Sequence, residues 1–164
     1  MSEVHVKGLA DLQKFLDQLA PKMEANIMRG AIRAGMKPVQ VSAKAGAAVA
    51  SGLLRDGLKI STRMQGGRVY SRLRATGKHG YLANWVEYGT VAHEIRPKGG
   101  KSLFLAGIFS TLVNHPGARP KPFMRPALDS RAQDAVIAVG NYIKNRLATK
   151  EGLNTADIII EGDE

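Results

Sequence analysis

Chemistry in this chain would have to come from a few short constellations, and most of them lack a required member. Gly100-Lys101-Ser102 ends like a phosphate-binding loop, whose amides and lysine cradle nucleotide phosphates, but the glycine needed five positions earlier is Ile95. With Lys98 and Gly99 before it, the segment suits a hairpin tip better. His93-Glu94 opens like the zinc-binding helix of a metalloprotease, yet the second histidine position holds Pro97, which would also break that helix. His5, His79, His93 and His115 are scattered, and cysteine is absent, which excludes disulfides, thiolate metal sites and cysteine nucleophiles. No metal and no cofactor is expected.

Glu87 stands apart from the other acids because it lies between Trp85 and Tyr88, where burial could perturb a carboxylate. Without a second polar partner beside it, pairing with one of the many arginines is the simpler reading, and no enzymatic activity is expected. The basic residues are the larger signal. Among 164 residues, 24 are Lys or Arg and 14 are Asp or Glu, a net charge of +10. The excess lies in residues 51–125, with thirteen basic and three acidic residues, whereas residues 126–164 hold four and seven. Arg63, Arg68, Arg72, Arg74 and Lys78 crowd one short region and would face either a neighbouring subunit or DNA. Tyr70 alone interleaves with the arginines, so the stacking platform of a single-strand binder is missing. A basic nucleic-acid-binding accessory protein remains the alternative function.

Positioning these residues requires both helices and strands. Leu9, Leu12, Leu16 and Leu19 carry the stripe of a first amphipathic helix, which Pro21 ends or restarts. Met28, Ile32, Gly35 and Val39 continue a second helical face that Pro38 should kink or cap. Alternation then replaces helical spacing: Leu58, Ile60, Thr62 and Met64 on one side of Gly66-Gly67, Val69, Ser71 and Leu73 on the other, the pattern of a β-hairpin. A second hairpin is expected from Val91 to Leu105, with a short helix from Tyr81 to Tyr88 between the two. Leu128, Ala132, Val136, Val139, Ile143 and Leu147 mark a long C-terminal helix that Gly152 can stop. The expected fold is α+β: an antiparallel sheet of about four strands in two hairpins, packed with an N-terminal helical pair and a long C-terminal helix. Residues 1–150 form one domain and residues 151–164 an acidic tail. No apolar stretch is long enough to span a membrane, and the N-terminal residues lack the pattern of a signal peptide, so synthesis in a cytoplasm is expected.

Three ordered motifs remain: Ser51-Gly52-Leu53-Leu54-Arg55; Trp85-Val86-Glu87-Tyr88-Gly89-Thr90, leading to His93-Glu94-Ile95-Arg96-Pro97-Lys98; and Val113-Asn114-His115-Pro116-Gly117, followed by Pro122-Phe123-Met124-Arg125-Pro126-Ala127-Leu128. Together they resemble the neck or tail-completion family of long-tailed, lambdoid-type bacteriophages, over residues 4–148. The resemblance implies a structural virion protein that forms a ring of six copies at the head–tail junction, completing the tail and joining it to the DNA-filled head. Its partners would be further copies of itself, a head-side connector or head-closure protein, and a tail terminator or tail tube protein. DNA would pass through the channel without specific binding. The matching positions Trp85, Glu87, Tyr88, Gly89, Thr90, His115, Pro116, Gly117, Pro122, Phe123 and Pro126 would then serve structure or interface.

Ile158, Ile159 and Ile160, flanked by Asp157 and Glu161, fall outside the resemblance and are too apolar for an ordinary disordered tail. They either fold back on their own sheet or add to a sheet edge of an adjacent subunit or a neighbouring ring protein, with the acids facing the arginines of the first hairpin. In the second case, deleting residues 154–164 weakens assembly, visible as a loss of scattered mass at fixed protein concentration; an unchanged mass would exclude it.

Overall fold

A computed structural model describes residues 13, 17, 21–48, 51–99, 102–105 and 107–150. Leu9, Leu12, Leu16 and Leu19 of the expected first helix lie outside the described residues, within which Gln13 and Asp17 are helical, and so do Gly100, Lys101 and the tail with Ile158, Ile159, Ile160 and Glu161. The rest is α+β: α1 (Pro21–Gly46), α2 (Leu53–Asp56), β1 (Leu58–Gln65), β2 (Arg68–Ala75), α3 (Leu82–Tyr88), β3 (His93–Ile95), β4 (Leu103–Leu105), β5 (Ile108–Ser110), β6 (Val113–His115), α4 (Met124–Ser130) and α5 (Ala132–Lys150).

Helix α1 is the spine. Pro21 opens it, where a missing amide costs nothing, and Glu24 and Lys44 sit at the ends that favour their charges. The helix runs on through Pro38, so this proline does not cap it. Its buried positions, Ile27, Ala31, Gly35, Val39 and Ala43, are spaced by four residues, and buried Ala47 follows just past its end. At 3.6 residues per turn each step rotates the stripe by about 40°, so it winds about 160° round the helix between Ile27 and Ala43. One spine can therefore serve two cores. Ile27 and Ala31 pack with Ile143 and Leu147 of α5, while Val39, Ala43 and Ala47 pack with Leu54, Leu58, Ala83, Phe123 and Ala127.

The first hairpin forms as its alternation requires. Gly66 and Gly67 both take positive φ, 57° and 75°, and every residue from Leu58 to Gln65 has an antiparallel partner in β2. Its apolar face lies toward α1, where Gln40 Nε2 donates to the Leu58 carbonyl at 2.7 Å and an Arg33 guanidinium nitrogen to that of Ile60 at 3.2 Å.

Two expectations need correction. The second hairpin does not run from Val91 to Leu105: β3 pairs with β6, and β4 pairs with β5, so the strands form three two-stranded ladders instead of one sheet. The cause is tertiary. Thr90 and Ala118 bridge in the same register as the pairs His93 with His115 and Ile95 with Val113, which makes residues 90–118 one antiparallel excursion. The C-terminal helix is also two helices, because Arg131 leaves helical geometry at φ −121° and ψ 15° between α4 and α5.

Gly35 is where α1 and α5 approach most tellingly. A Cβ there would lie 2.6 Å from Val139 Cγ2 and 2.8 Å from the Ala135 carbonyl oxygen. In an open helix Gly→Ala gains about 1 kcal/mol. Here the overlap dominates, and Gly35→Ala is expected to destabilise by about 1–2 kcal/mol, read as a lower urea midpoint at unchanged slope.

Candidate functional site

Among the described residues one charged side chain is buried. It is Glu87, 5% exposed, in the last turn of α3. Its Oε2 accepts the backbone amides of Phe123 at 2.8 Å and Met124 at 2.9 Å, and its Oε1 accepts that of Arg125 at 3.0 Å. These donors open α4, a helix start with no capping side chain of its own. Glu87 thus caps a helix 36 residues away in sequence. The Lys121 amide donates to the Val86 carbonyl at 2.7 Å, and Thr90 exchanges backbone bonds with Ala118 while its hydroxyl accepts the same Ala118 amide.

Two glycines permit this close approach. Gly89 leaves α3 at φ 73°, and a Cβ on it would stand 2.5 Å from the Ala118 carbonyl. Gly117, at φ 84°, has Val91 and Ala92 backbone atoms within about 3.0 Å of where its Cβ would be. The His93 and His115 rings stack across β3–β6 at 5.0 Å, and the Gly117 amide donates to His115 Nδ1. The sequence motifs around Glu87, His115 and Phe123 are therefore one latch. Phe123 is delivered into the core, whereas Pro116, Pro122 and Pro126 stay exposed along the irregular path and the start of α4.

Burial alone pushes the Glu87 carboxyl up; the three amide bonds and the Arg125 guanidinium outweigh it and hold the group below the ordinary glutamate range. Buried, ionised and occupied at both oxygens, it is poorly placed to give or take a proton.

Two other surfaces stand out. Tyr81, Trp85 and Tyr88 form an exposed stripe on α3, with Tyr81 edge-on to Trp85 at 5.1 Å and Arg125 over the Tyr88 ring at 4.8 Å. Trp85 is 53% exposed, so it is a surface residue. Hairpin β4–β5 carries Phe104, Ile108 and Phe109 at 66%, 70% and 72% exposure, with Leu105 also exposed. Sequence reading missed this apolar finger because Phe104 and Phe109 look like core residues; only its isolation from the other elements exposes them.

The cations of β1–β2 share one face. Arg63, Arg68, Arg72 and Arg74 border an open hollow of about 700 Å³, whereas Lys78 lies in the exposed turn after β2 and does not join them. Lys59, directly opposite Arg74, does; its parity in the alternating run was the available signal.

Residues 10–89 match a family model described as "Bacteriophage HK97-gp10, putative tail-component". Over this span, just under half of the chain, the sequence is similar to the HK97-gp10-like family of phage tail components. The matched span holds α1, α2, the cationic ribbon and α3 with Glu87, and it ends at Gly89. The strands β3–β6 and helices α4 and α5 follow it. No curated protein and no solved structure matches the chain. Among the described residues no helix is long and apolar enough to cross a membrane.

Glu87→Gln removes the charge and turns an amide group toward backbone donors, and is expected to cost about 2–3 kcal/mol. Because the folded state holds the carboxyl below its unfolded value, its contribution is complete above the unfolded value and vanishes as pH falls through the folded one. Urea midpoints of the wild type should therefore fall on acidification through that window, and those of Glu87→Gln should fall less.

Proposed function

We propose that the protein is a non-enzymatic virion component that closes into a homo-oligomeric ring of six copies at the head–tail junction of a long-tailed phage. There it would complete the tail and join it to the DNA-filled head. Its neighbours would be a head-side connector or head-closure protein on one side and a tail terminator or tail tube protein on the other. Residues 1–150 act in this reading as one domain, and residues 151–164 as a tail whose Ile158, Ile159, Ile160 and Glu161 bridge to the next subunit.

One observation carries the ring: a chain similar to a tail-component family presents two different exposed apolar surfaces, the β4–β5 finger and the Tyr81, Trp85 and Tyr88 stripe. An isolated two-stranded hairpin is marginally stable in water, so a finger bearing two exposed phenylalanines in contact needs a cover. Contacts between two unlike patches are head-to-tail, and repeated with rotation they close a ring. A second reading, a basic nucleic-acid-binding accessory protein, is favoured by the cationic face of β1–β2.

The readings part on whether the protein assembles without DNA. Light scattering of the purified chain is expected to give a multiple of the monomer mass. Replacing Phe104 and Phe109 together by serine should weaken self-association roughly 100-fold or more, as loss of aromatic anchors does. A chain that stays monomeric at high concentration would exclude the ring.

A further inference from the structure

Alternation sorts the β1–β2 ribbon into two chemically distinct faces. Leu58, Ile60, Thr62 and Met64 stand opposite Ala75, Leu73, Ser71 and Val69 on the face toward α1. The outer face sets Lys59, Ser61, Arg63 and Gln65 opposite Arg74, Arg72, Tyr70 and Arg68. It holds five cations, three neutral groups that can donate hydrogen bonds, and no carboxylate. Among the described residues none of the five cations forms an ion pair. Like charges are set against each other: Lys59 directly faces Arg74, and Arg63 is diagonal to both Arg68 and Arg72. Such juxtaposition destabilises a ribbon unless an anion relieves it.

The chemistry of the face selects the anion. A protein partner needs an apolar patch at the centre of its contact, and this face has no aliphatic side chain. A phosphodiester backbone needs only cations and neutral donors. Same-face residues along a strand recur about every 6.8 Å, so Arg68, Tyr70, Arg72 and Arg74 offer a regular row of donors beside the hollow. A two-stranded ribbon also has the width that the major groove of duplex DNA admits.

We propose that this outer face is a sequence-independent docking site for the phosphate backbone of duplex DNA, contacted by Lys59, Arg63, Arg68, Arg72 and Arg74. Contacts of this kind release counterions, weaken steeply with salt and allow the protein to slide along the duplex. The face can thus guide a moving duplex without stopping it. The assignment does not depend on ring formation.

The test measures fluorescence anisotropy of labelled duplexes of about 30 base pairs in two unrelated sequences, with the full chain, across a range of salt. Equal binding of both sequences is expected. Five neutralised phosphates give a slope of log K on log salt of about −4.5, a roughly 500-fold loss of affinity between about 50 and 200 mM. Combining Arg68→Gln, Arg72→Gln and Arg74→Gln should bring the slope to about −2, and Arg72→Gln alone should reduce it by about one unit. A control combining Arg119→Gln, Lys121→Gln and Arg146→Gln, exposed cations elsewhere, removes the same charge and should keep the wild-type slope within about one unit. No binding at about 50 mM salt, an unchanged slope in the face variant, or equal losses in face and control variants would overturn the proposal. Loss of assembled mass in the face variant would also overturn it, since the face would then join copies or hold an acidic segment of a second copy. A monomeric wild type whose DNA binding still fails in the face variant would defeat the ring and leave this site standing.

Discussion

The buried carboxylate of Glu87 is the constraint on which the C-terminal half of the fold depends. Three amides at the start of α4 have no partner within their own helix, and Glu87 meets all three from α3. Holding an ionised group out of water is costly unless its oxygens are satisfied, and here they are satisfied by an end of a helix that favours negative charge. The bond set does more than cap α4. It pulls residues 118–125 against the end of α3, inserts Phe123 among Val39, Ala43 and Leu58, and so brings 113–115 beside 93–95. Those strand pairs are too short to find one another unaided.

Helix α1 supplies the second constraint. A stripe repeating every four residues winds around the helix, so α5 and the core under the β1–β2 ribbon meet the same spine at different azimuths. Small residues at Ala31, Gly35 and Ala43 let the neighbours come close, and α5 reaches both cores, through Ala135 at one and Ile143 and Leu147 at the other. With the interior so arranged, chemistry is left to the surface. The cationic ribbon face, the aromatic stripe of α3 and the β4–β5 finger are separate in composition, and the proposed ring would set them against different neighbours. The family match covers the first two and stops short of the finger.

Much of the local structure was legible in the residues. The Gly66-Gly67 turn and the strict alternation around it specify a hairpin in one register, since a slip by one residue would turn Leu58 and Ile60 outward and the arginines inward. The short helix ending at Gly89, the α+β class and the cationic cluster followed from periodicity and charge. The motifs around Glu87, Gly89, Gly117 and Phe123 were visible as patterns but not as one object, because their union is a set of hydrogen bonds between segments some thirty residues apart.

By itself the sequence determined the β1–β2 hairpin and which of its faces is apolar, the short helix that ends before Gly89, and where the positive charge concentrates, because these depend on spacing along a few turns or pleats. Only the tertiary structure decided that Pro38 would be carried within a helix and that Arg131 would divide another. It also decided that Trp85, Phe104 and Phe109 would face outward while Phe123 went in. Those outcomes rest on packing and hydrogen bonds between distant segments, whose energies exceed the local preferences that a sequence pattern displays.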